Sequence, residues 1–406
     1  MLPALGRAWT AATGTWTGRL LSSLAVGALA ITSIVVLSGD DAEQTATGPG
    51  ATTSTVAGPT STRGGGEAPT TTAPGTTAAP TTAPPATLPA PPAEGLRFLP
   101  EDTPDNGSAA PLTGLPVPDP ATLDRAALAV KIDNLDVPGE SARPQTGLAF
   151  ADLVVEEVVE GGITRFVAVL HSTDAPAVGP VRSARTTDVH LLPILGTPLF
   201  AYSGGNPGVL AAVADAPSIE DRGGEWAPAY VRVPGREPPH DLYLRPWEIW
   251  ARGAGATVPP PLAPFRPRGQ GSPVGEPVSG LALGFGGAAG APASWRWLPE
   301  EGRWLRQQRG SVHLDGAGYA IGPRNVVVVF TDYVESPVDT RSPEAVTIGS
   351  GEAWVFTDGK LVEGRWQRDS LDAPLSFVDG SGAPVTLSAG RTWIELVRPG
   401  TAAVVR

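Results

Sequence analysis

The sequence predicts a mixed α/β domain, with helices around a mixed sheet, followed by a smaller, mostly β domain. Both lie behind an N-terminal transmembrane helix and a disordered linker. Three observations predict this arrangement. A β-branched hairpin and short helical segments alternate over residues 110–257, and short strands separated by Gly, Asp and Pro fill residues 281–406. An uncharged apolar run and a tract rich in Thr, Ala, Pro and Gly precede both segments.

Composition excludes several classes of protein. The 406 residues contain no cysteine, which excludes disulfides, thiolate metal sites, cysteine nucleophiles and a lipid-anchored cysteine. The net charge is −12, whereas a general nucleic-acid binder needs a basic surface to release counterions. We therefore expect no nucleic-acid partner, although an acidic total still permits a local arginine cluster.

Residues 20–37 form an apolar run, LLSSLAVGALAITSIVVL, that is close to the length of a membrane span. Arg7 and Arg19 precede it, and Asp40 and Asp41 follow it. Because basic flanks stay in the cytoplasm, we predict a cytoplasmic N-terminus at 1–19 and a single-pass anchor in the cell membrane, with the bulk of the chain extracytoplasmic. A cleaved signal peptide is the alternative.

Residues 38–109 are predicted to be a disordered linker. Repeats such as TTTAPGTTAAPTTAPPA contain almost no large apolar side chain, so they cannot bury enough surface to offset chain entropy. Their prolines favour an extended, semi-stiff chain. Thr-Pro tracts of this kind also occur as O-glycosylated stalks. The linker would hold the folded part, beginning at residue 110, away from the membrane.

The α/β domain is predicted from a series of strand, turn and helix signals. The strongest is a pair of β-branched runs separated by Gly161-Gly162, which is typical of a hairpin. The predicted elements are strands at 127–132, 151–160, 163–171 and 198–202, and helices at 184–195, 209–214 and 240–250. A proline-rich connector, 258–280, separates this domain from the next.

The second domain, 281–406, is predicted to be mostly β. Its runs include Asn325–Phe330 and Thr392–Leu396, and Asp358-Gly359 is a hairpin turn dipeptide. Tryptophans recur along these runs. They are expected to pack in the core, with glycan binding as the alternative.

The arginine turn, residues 179–185 (GPVRSAR), lies between the hairpin and the predicted helix behind it. Pro180 prevents an earlier helix start, and Ser183 is predicted to cap the helix. Arg182 and Arg185 would then lie at a helix entrance, where guanidinium groups can bind carboxylate or phosphate. The alternative is a structural network in which such arginines pair with nearby acidic residues.

The predicted ligand site extends from this turn to residues expected to lie beside it. Neither a recognised zinc spacing nor a Gly-x-Ser-x-Gly motif is present, so we expect no metal and no cofactor, and the catalytic residues, if any, stay unknown. The candidate ligand-binding residues are Arg143, Glu156, Glu160, Arg165, Arg182, Ser183, Arg185, Asp188, Gly204, Gly205, Asn206, His240 and Tyr243.

Several runs resemble the YerB-like family of bacterial envelope lipoproteins, which carry the domain of unknown function 3048 and its C-terminal companion. The resemblance covers roughly residues 110–400. This chain departs from the family in lacking the lipidated cysteine, in having Tyr202 where the family tends to have histidine, and in having Asp241 where asparagine is usual. The matching runs are 111–114, 143–145, 151–152, 160–165, 179–185, 204–205, 239–240 with Tyr243, 325–326, 349–351, 358–360, Gly364 with Trp366, and 390–393.

The resemblance implies an envelope protein and no particular chemistry. We expect a non-catalytic module that binds an anionic envelope ligand, such as a cell-wall polymer, at the arginine turn, or that contacts an envelope protein. One alternative is an enzyme acting on wall glycopolymer precursors, phosphotransferase-like or hydrolase-like, since the layout is similar to that of LytR-CpsA-Psr transferases. The other alternative is a protein-interaction scaffold.

Overall fold

The structure is a computed structural model that describes residue 88 and residues 95–101, 107–117, 119–253, 255–287 and 289–406. These residues lie in one compact unit that spans residues 75–406. The predicted anchor at 20–37 lies outside the described residues, as does most of the predicted linker. Within the described residues, no helix has both the length and the apolar character needed to cross a membrane.

Short strands and three short α-helices make up the described chain before residue 258. The strands are β1 (Leu128–Asp133), β2 (Asp136–Val137), β3 (Glu140–Ser141), β4 (Leu153–Val158), β5 (Thr164–Leu170), β6 (Leu199–Ala201), β7 (Glu220–Asp221), β8 (Tyr230–Arg232) and β9 (Leu242–Leu244). The helices are α1 (Thr186–Leu191), α2 (Pro207–Ala214) and α3 (Pro246–Trp250), with 3-10 turns at Pro120–Asp124, Leu148–Phe150, Glu160–Gly162 and Leu192–Leu195.

The rest of the described chain is built from strands. They are β10 (Phe265–Arg266), β11 (Glu276–Pro277), β12 (Gly280–Leu283), β13 (Ala293–Leu298), β14 (Arg303–Gln308), β15 (Ser311–Val312), β16 (Asn325–Phe330), β17 (Tyr333–Ser336), β18 (Asp339–Ala345), β19 (Gly349–Thr357), β20 (Lys360–Arg368), β21 (Ser376–Asp379), β22 (Leu387–Ser388), β23 (Thr392–Val397) and β24 (Ala402–Val405).

One eleven-stranded sheet runs through both predicted domains, in the order β11-β20-β19-β16-β23-β4-β5-β1-β6-β7, with β21 also paired to β20. Strands β16, β23 and β4 are parallel neighbours, and β1 points the same way because β5 is antiparallel to both β4 and β1. A second, five-stranded sheet has the order β15-β14-β13-β12-β24. The connector at 258–280 therefore does not separate two independent cores, and both core clusters draw on both segments.

The mixed, sheet-dominated fold agrees with the prediction, and the hairpin is confirmed as β4 and β5. Its turn contains Gly161 at φ 67° and Gly162 at φ 81°, a backbone region that glycine adopts without steric cost. A side chain at Gly162 would also come within 1.9 Å of the carbonyl oxygen of Gly286. Gly162 is needed for the turn to pack against the 286–287 loop, and Gly161 supplies the second left-handed residue of the turn.

Two predicted helices are shorter in the structure. The segment 184–195 forms α1 and then a 3-10 turn, because Pro193 has no N–H to continue the α-helical ladder. The segment predicted as a helix from His240 begins with β9, and α3 starts only at Pro246. Here the pairing of β9 with β8 overrides the local helical pattern.

Most tryptophans of the segment 281–406 pack in the core, as predicted: Trp295, Trp304, Trp366 and Trp393 are buried. Trp295 and Trp304 are fully buried, and Trp393 is 2 % exposed. The rings of Trp295 and Trp393 meet edge to face with centroids 5.3 Å apart, a favoured aromatic geometry. Trp295 lies on the five-stranded sheet and Trp393 on the large one, so this contact joins the two sheets.

The end of the predicted linker packs against the folded body. The Arg97 carbonyl accepts a 2.7 Å hydrogen bond from Ala320 N–H, and the Phe98 ring lies beside Gly322. Glu101 is 4 % exposed and pairs with three arginines. Residues 95–101 therefore correct the predicted boundary at 109, because Phe98, Leu99 and Glu101 can make contacts that the Thr/Pro repeats before them cannot.

A buried charge cluster lies between the two sheets. Arg306 Nη2 is 2.6 Å from Glu156 Oε2, and both side chains are fully buried. Glu395 lies opposite Glu156 in the register of β23 and β4 and accepts a 2.8 Å hydrogen bond from Trp295 Nε1. Burial raises the pKa of Glu395 well above its ordinary value, Glu156 adds to that rise, and Arg306 only partly opposes it. We therefore assign the buried ion pair to Arg306 and Glu156, and the raised pKa of Glu395 favours its neutral form.

This assignment predicts opposite outcomes for two isosteric substitutions. Glu156→Gln leaves the Arg306 guanidinium buried without a counter-ion and should lower the free energy of unfolding by about 3–5 kcal/mol. Glu395→Gln replaces one neutral group by another and should change it by about 1 kcal/mol or less. Urea unfolding of both variants at pH 7 measures the difference. Equal losses in the two variants would show that Glu395 is also ionised.

Candidate functional site

The arginine turn crosses the carboxyl end of β1. Asp133 N–H donates to the Pro180 carbonyl at 2.9 Å, and Arg182 N–H donates to the Lys131 carbonyl at 2.9 Å. On its other side the turn accepts a hydrogen bond from Ser203, and Ala184 N–H donates to the Gly204 carbonyl at 3.1 Å. The turn thus continues the sheet where β6 ends. Ligands of open α/β sheets bind outside the carboxyl ends of strands, and this is such a place.

Arg182 pairs with a buried carboxylate that also contacts a histidine. Arg182 Nε is 2.7 Å from Asp133 Oδ2, and His240 Nδ1 is 2.9 Å from the same oxygen. His240 Nε2 faces Glu140 Oε1 at 3.1 Å. Burial would raise the pKa of Asp133, but the His240 hydrogen bond and the Arg182 charge hold it below its ordinary value. The same hydrogen bond raises the pKa of His240 against the opposing effect of burial.

Arg185 pairs with the carboxylate at the hairpin turn. Arg185 Nη2 is 2.8 Å from Glu160 Oε2, and Arg185 Nη1 donates to the Ala184 carbonyl at 2.7 Å. Ser342 of β18 donates a hydrogen bond to the other Glu160 oxygen. Burial acts to raise the pKa of Glu160, but the hydrogen bonds from Arg185 and Ser342 lower it to about 2. The carboxylate is ionised and already has a charged partner.

Arg165 is the third arginine of this group, and no carboxylate of the described residues pairs with it. It lies opposite Asp133 in the β1–β5 register, and its Nη1 donates to the Ser183 carbonyl at 2.6 Å. Among the described residues it has no ion pair within 4.0 Å, and its buried Nε–H has no hydrogen-bond partner. Burial, then Arg185, lowers the pKa of Arg165 to about 10 against the opposing charges of Asp133 and Glu160. Arg165 therefore remains a buried cation at neutral pH.

Six of the predicted ligand-binding residues lie together at the arginine turn. Five contribute a side chain or a carbonyl to the turn, and the sixth, His240, contacts it through Asp133. Ser183 contributes its carbonyl, which accepts hydrogen bonds from both Arg165 and Arg185. It is not the helix cap that the sequence predicts. Arg185 is the N-cap of α1, and its N–H donates to Asp188 Oδ2 at 2.7 Å. The members are Glu160, Arg165, Arg182, Ser183, Arg185 and His240.

Asp188 is buried beneath the turn, where its carboxylate has a structural role. Its Oδ1 accepts a 2.6 Å hydrogen bond from the buried Lys131 ammonium, which also contacts Glu157. α1 has only six residues, and the N–H of its N-cap, Arg185, already donates to Asp188 Oδ2, so the predicted helix entrance is too short to carry anion binding by itself. Any such binding depends on the guanidinium groups.

Two other predicted residues lie elsewhere. Arg143 donates from Nη1 to Ser311 Oγ at 2.9 Å and from Nη2 to the Val312 carbonyl at 2.8 Å, so it ties its loop to β15. Glu156 belongs to the buried cluster with Arg306. Both carry charge, but the structure uses that charge in contacts between segments.

The remaining predicted residues shape the surroundings of the turn. Gly204 adopts φ 72°, and Asn206 caps α2 by accepting a 2.9 Å hydrogen bond from Gly208 N–H. Gly205 packs near Leu210, and the Tyr243 ring lies against Gly179, where a side chain would come within 2.9 Å of it. These four residues set the backbone conformation and the packing around the arginine turn, and they contribute no charge to it.

Three residues of the arrangement were not among the predicted ligand-binding residues: Asp133, Glu140 and Ser342. Asp133 ends a buried strand, a position at which polar side chains signal a site. Ser342 and Glu140 come from distant or irregular segments without such a signal. Within the described residues, no group of three or more His, Asp or Glu side chains is arranged to hold a metal ion.

Comparison with known proteins agrees with this fold. Residues 112–258 match the N-terminal domain model, and residues 282–394 the C-terminal domain model, of "Protein of unknown function (DUF3048)". The chain therefore belongs to the DUF3048 family, the family to which the sequence motifs point.

Two Bacillus subtilis matches support the assignment. The chain is 36 % identical over 135 residues to "Putative lipoprotein YerB" of strain 168, a match that covers 33 % of this chain and 39 % of that protein. The crystal structure of YerB protein from Bacillus subtilis matches with a TM-score of 0.64 at 24 % identity, over 74 % of this chain and 100 % of that one. This second match shows the shared fold.

The Asp133–His240 pair predicts a pH-dependent contribution to stability. Because the pKa of His240 is raised in the folded state, the contribution is fully present below about pH 6.5 and is lost as pH rises through the folded pKa. The wild type should exceed His240→Asn in free energy of unfolding by more at pH 6 than at pH 9, measured by urea unfolding. In an Asp133→Asn background this pH dependence should shrink. A difference that is constant, or larger at pH 9, would contradict the pairing.

Proposed function

We propose that this protein is a membrane-anchored, extracytoplasmic envelope protein that binds an anionic envelope ligand at the arginine turn without transforming it. The observation that carries the proposal is Arg165, a buried guanidinium without a carboxylate partner. Burying a charge without a counter-ion costs free energy. A ligand that supplies the missing negative charge recovers that cost when it binds.

The charges of the site favour an anion over a cation. Three guanidinium groups lie beside Asp133 and Glu160, which are each already paired with a nearer arginine, and the third carboxylate, Glu140, contacts His240. Glu160 and Arg182 are the more accessible members, with side chains 34 % and 23 % exposed. Arginine presents its N–H groups in a planar fork that matches carboxylate and phosphate oxygens. A wall polymer or a muropeptide carries such groups.

The cellular location is inferred from two sources. The apolar run at 20–37, with basic residues before it and acidic residues after it, fits a span that exports the rest of the chain. The relative in Bacillus subtilis is named a lipoprotein. This chain has no cysteine for lipidation, so the span would replace the lipid as the anchor.

A structural network is the competing interpretation, because Arg182 and Arg185 both have carboxylate partners. Arg165 separates the two interpretations. An arginine that only joins segments should stabilise the fold, whereas an arginine kept for a ligand should be neutral or unfavourable in the free protein. The enzyme alternative needs a reacting group beside the arginines; His240 lies there, but both of its ring nitrogens face carboxylates.

Arg165→Gln should abolish ligand retention while leaving the fold as stable as the wild type. The free energy of unfolding should stay within about 1 kcal/mol, because the loss of one hydrogen bond is offset by removal of a buried charge. Retention is measured by soaking the protein in solubilised cell-wall fragments and analysing the retained species by mass spectrometry. Any species that the wild type retains should be missing from the variant.

Two variants serve as controls. Arg341→Gln removes an arginine whose side chain is 84 % exposed and should retain the same species as the wild type. Arg182→Gln leaves the buried Asp133 without its arginine and should lose about 1–3 kcal/mol of stability. If Arg165→Gln instead loses several kcal/mol, or retains the same species as the wild type, the arginine turn is architecture and the binding proposal is wrong.

The anchor is tested separately. Deletion of residues 1–37 should move the protein from the membrane fraction to the soluble cytoplasmic fraction, because the apolar run would provide both the export signal and the attachment. Fractionation followed by immunoblotting measures the shift. A full-length protein that is already soluble, with an N-terminus beyond residue 37, would show that the run is a cleaved signal peptide.

A further inference from the structure

One edge of the Arg165 guanidinium group is unoccupied. Arg165 uses Nη1 to donate to the Ser183 carbonyl at 2.6 Å. Its Nε–H is buried without an acceptor, and its Nη2 donates to none of the described residues. Since Nε–H and Nη2–H point from the same edge of a guanidinium group, Arg165 presents a free pair of parallel donors. The residue is only 9 % exposed, and its bond to Ser183 fixes the orientation of the pair.

A second free pair of donors lies beside the first, on Arg182. Arg182 meets Asp133 through Nε at 2.7 Å, although the N–H bond is not aligned with the carboxylate. Its Nη1 and Nη2 groups have no acceptor in the part of the chain that the structure describes. The side chain is 23 % exposed, so a ligand can reach these two groups. Arg165 faces the same Asp133 across the β1–β5 register, which places the two pairs next to each other.

The charges around these donors sum to a small number. Three arginines lie among three carboxylates, and His240 adds one positive charge when it is protonated, so the local sum is +1 or zero. The loop 286–290 beside the hairpin turn contains only Gly and Ala and adds no charge. Farther out, Arg232 pairs with both Glu225 and Asp241 and adds no positive excess. The arginines are Arg165, Arg182 and Arg185, and the carboxylates are Asp133, Glu140 and Glu160.

This balance favours a ligand group with one negative charge. A phosphate monoester carries about two charges at neutral pH, and a pyrophosphate carries at least as many. The second charge would lie beside Glu140 and Glu160, the most exposed carboxylates of the site, with side chains 51 % and 34 % exposed. Like charges at such distances repel one another.

The depth of the Arg165 donors favours a slim group at the end of a chain. Arg165 Nε is buried, so a ligand oxygen has to enter the protein surface to reach it. Gly204 leaves room there, because a side chain at this position would begin 4.0 Å from Ser183 Oγ and would touch nothing closer among the described residues. A terminal carboxylate is planar and fits such an entrance, whereas a phosphodiester is tetrahedral and continues as a chain on both sides.

We propose, on the basis of the binding function proposed above, that the ligand group at the arginine turn is a terminal carboxylate, held by the paired N–H donors of Arg165 and Arg182. Its two coplanar oxygens match parallel N–H donors, and its single charge matches the charge balance of the site. In a cell wall, a stem peptide or a sugar acid supplies such a group. Polymers and lipid precursors whose negative charge is phosphate alone are excluded as ligands of this site.

The test uses chemically modified wall fragments and the purified full chain. Carbodiimide coupling to methylamine converts the carboxylates of the fragments into neutral amides, whereas hydrofluoric acid cleaves phosphodiester bonds and leaves carboxylates intact. Retention, measured by mass spectrometry, should survive the acid treatment and fall about tenfold or more after amidation. Amidase digestion, which separates stem peptides from glycan strands, then identifies the source of the carboxylate, and either source supports the proposal.

Lysine variants separate paired donors from charge alone. Arg165→Lys and Arg182→Lys keep the positive charge but replace the planar fork by a single ammonium group. Each should weaken retention of acid-treated fragments about tenfold. Arg365→Lys is the matched control and should retain them like the wild type, since Arg365 is exposed on β20 and contacts only Ser350 among the described residues. If Arg165→Lys does not fold, the partly exposed Arg182→Lys decides.

Three results would overturn the carboxylate assignment, each in a different way. If the wild type retains no untreated fragment, the binding function and the carboxylate fall together. If retention is lost after acid treatment, or survives amidation, the binding function stands and the carboxylate assignment is wrong. If the lysine variants retain acid-treated fragments like the wild type, charge alone is sufficient and the paired donors are not the recognition element.

Discussion

The parallel pairing of β4 with β23 is the constraint on which the rest of the structure depends. β4 comes from the first half of the chain and β23 from near its end, and their register places Leu153 opposite Thr392 and Glu156 opposite Glu395. This pairing makes two sequence segments into one sheet. It also aligns strand ends, so that the hairpin turn and the end of β1 lie at one edge and the starts of β16 and β23 at the other. Short polar segments meet at both edges, so an arginine cluster lies at each: the arginine turn at one edge, and the arginines that pair with Glu101 at the other.

The same pairing brings two glutamates together inside the protein, and the fold resolves the conflict by protonation and by Arg306. Burial and the neighbouring Glu156 raise the pKa of Glu395, so its neutral form is favoured while Glu156 pairs with Arg306. Arg306 also lies over the rings of Phe166, Trp295 and Trp393, with its central carbon 5.1–5.8 Å from each centroid. The aromatic faces add stabilisation for the buried cation. Charge and tryptophan packing thus act on the same residue between the two sheets.

Local sequence patterns predicted the features that depend only on neighbouring residues. The Gly161-Gly162 hairpin, the strand at 128–133 and the tryptophan core follow from β-branched runs, turn glycines and apolar periodicity. The shared sheet did not follow, because a parallel pairing across more than 200 residues leaves no periodicity in either strand. The roles of individual arginines did not follow either. Arg143 precedes a proline in a predicted turn and Arg165 lies in a predicted strand. Neither context reveals that the first ties a loop to β15 and that the second lies buried at the site. Glu101 was hidden at the end of a low-complexity tract, where composition predicts disorder.

Arg165 is left without a counter-ion because the nearby carboxylates have closer partners. Asp133 faces it across the β1–β5 register, but Asp133 Oδ2 already contacts Arg182 and His240. Glu160 lies at the other end of the hairpin turn, where Arg185 and Ser342 occupy its two oxygens. A fold that needed Arg165 only for stability would gain by replacing it with an apolar side chain of similar volume, since buried ion pairs, and unpaired charges still more, are often outperformed by packing. The cation is instead held rigidly by the Ser183 carbonyl, beside two other guanidinium groups, at the carboxyl edge of the sheet. An uncompensated, preorganised charge in that position raises the free energy of the ligand-free protein and stabilises the anion-bound protein.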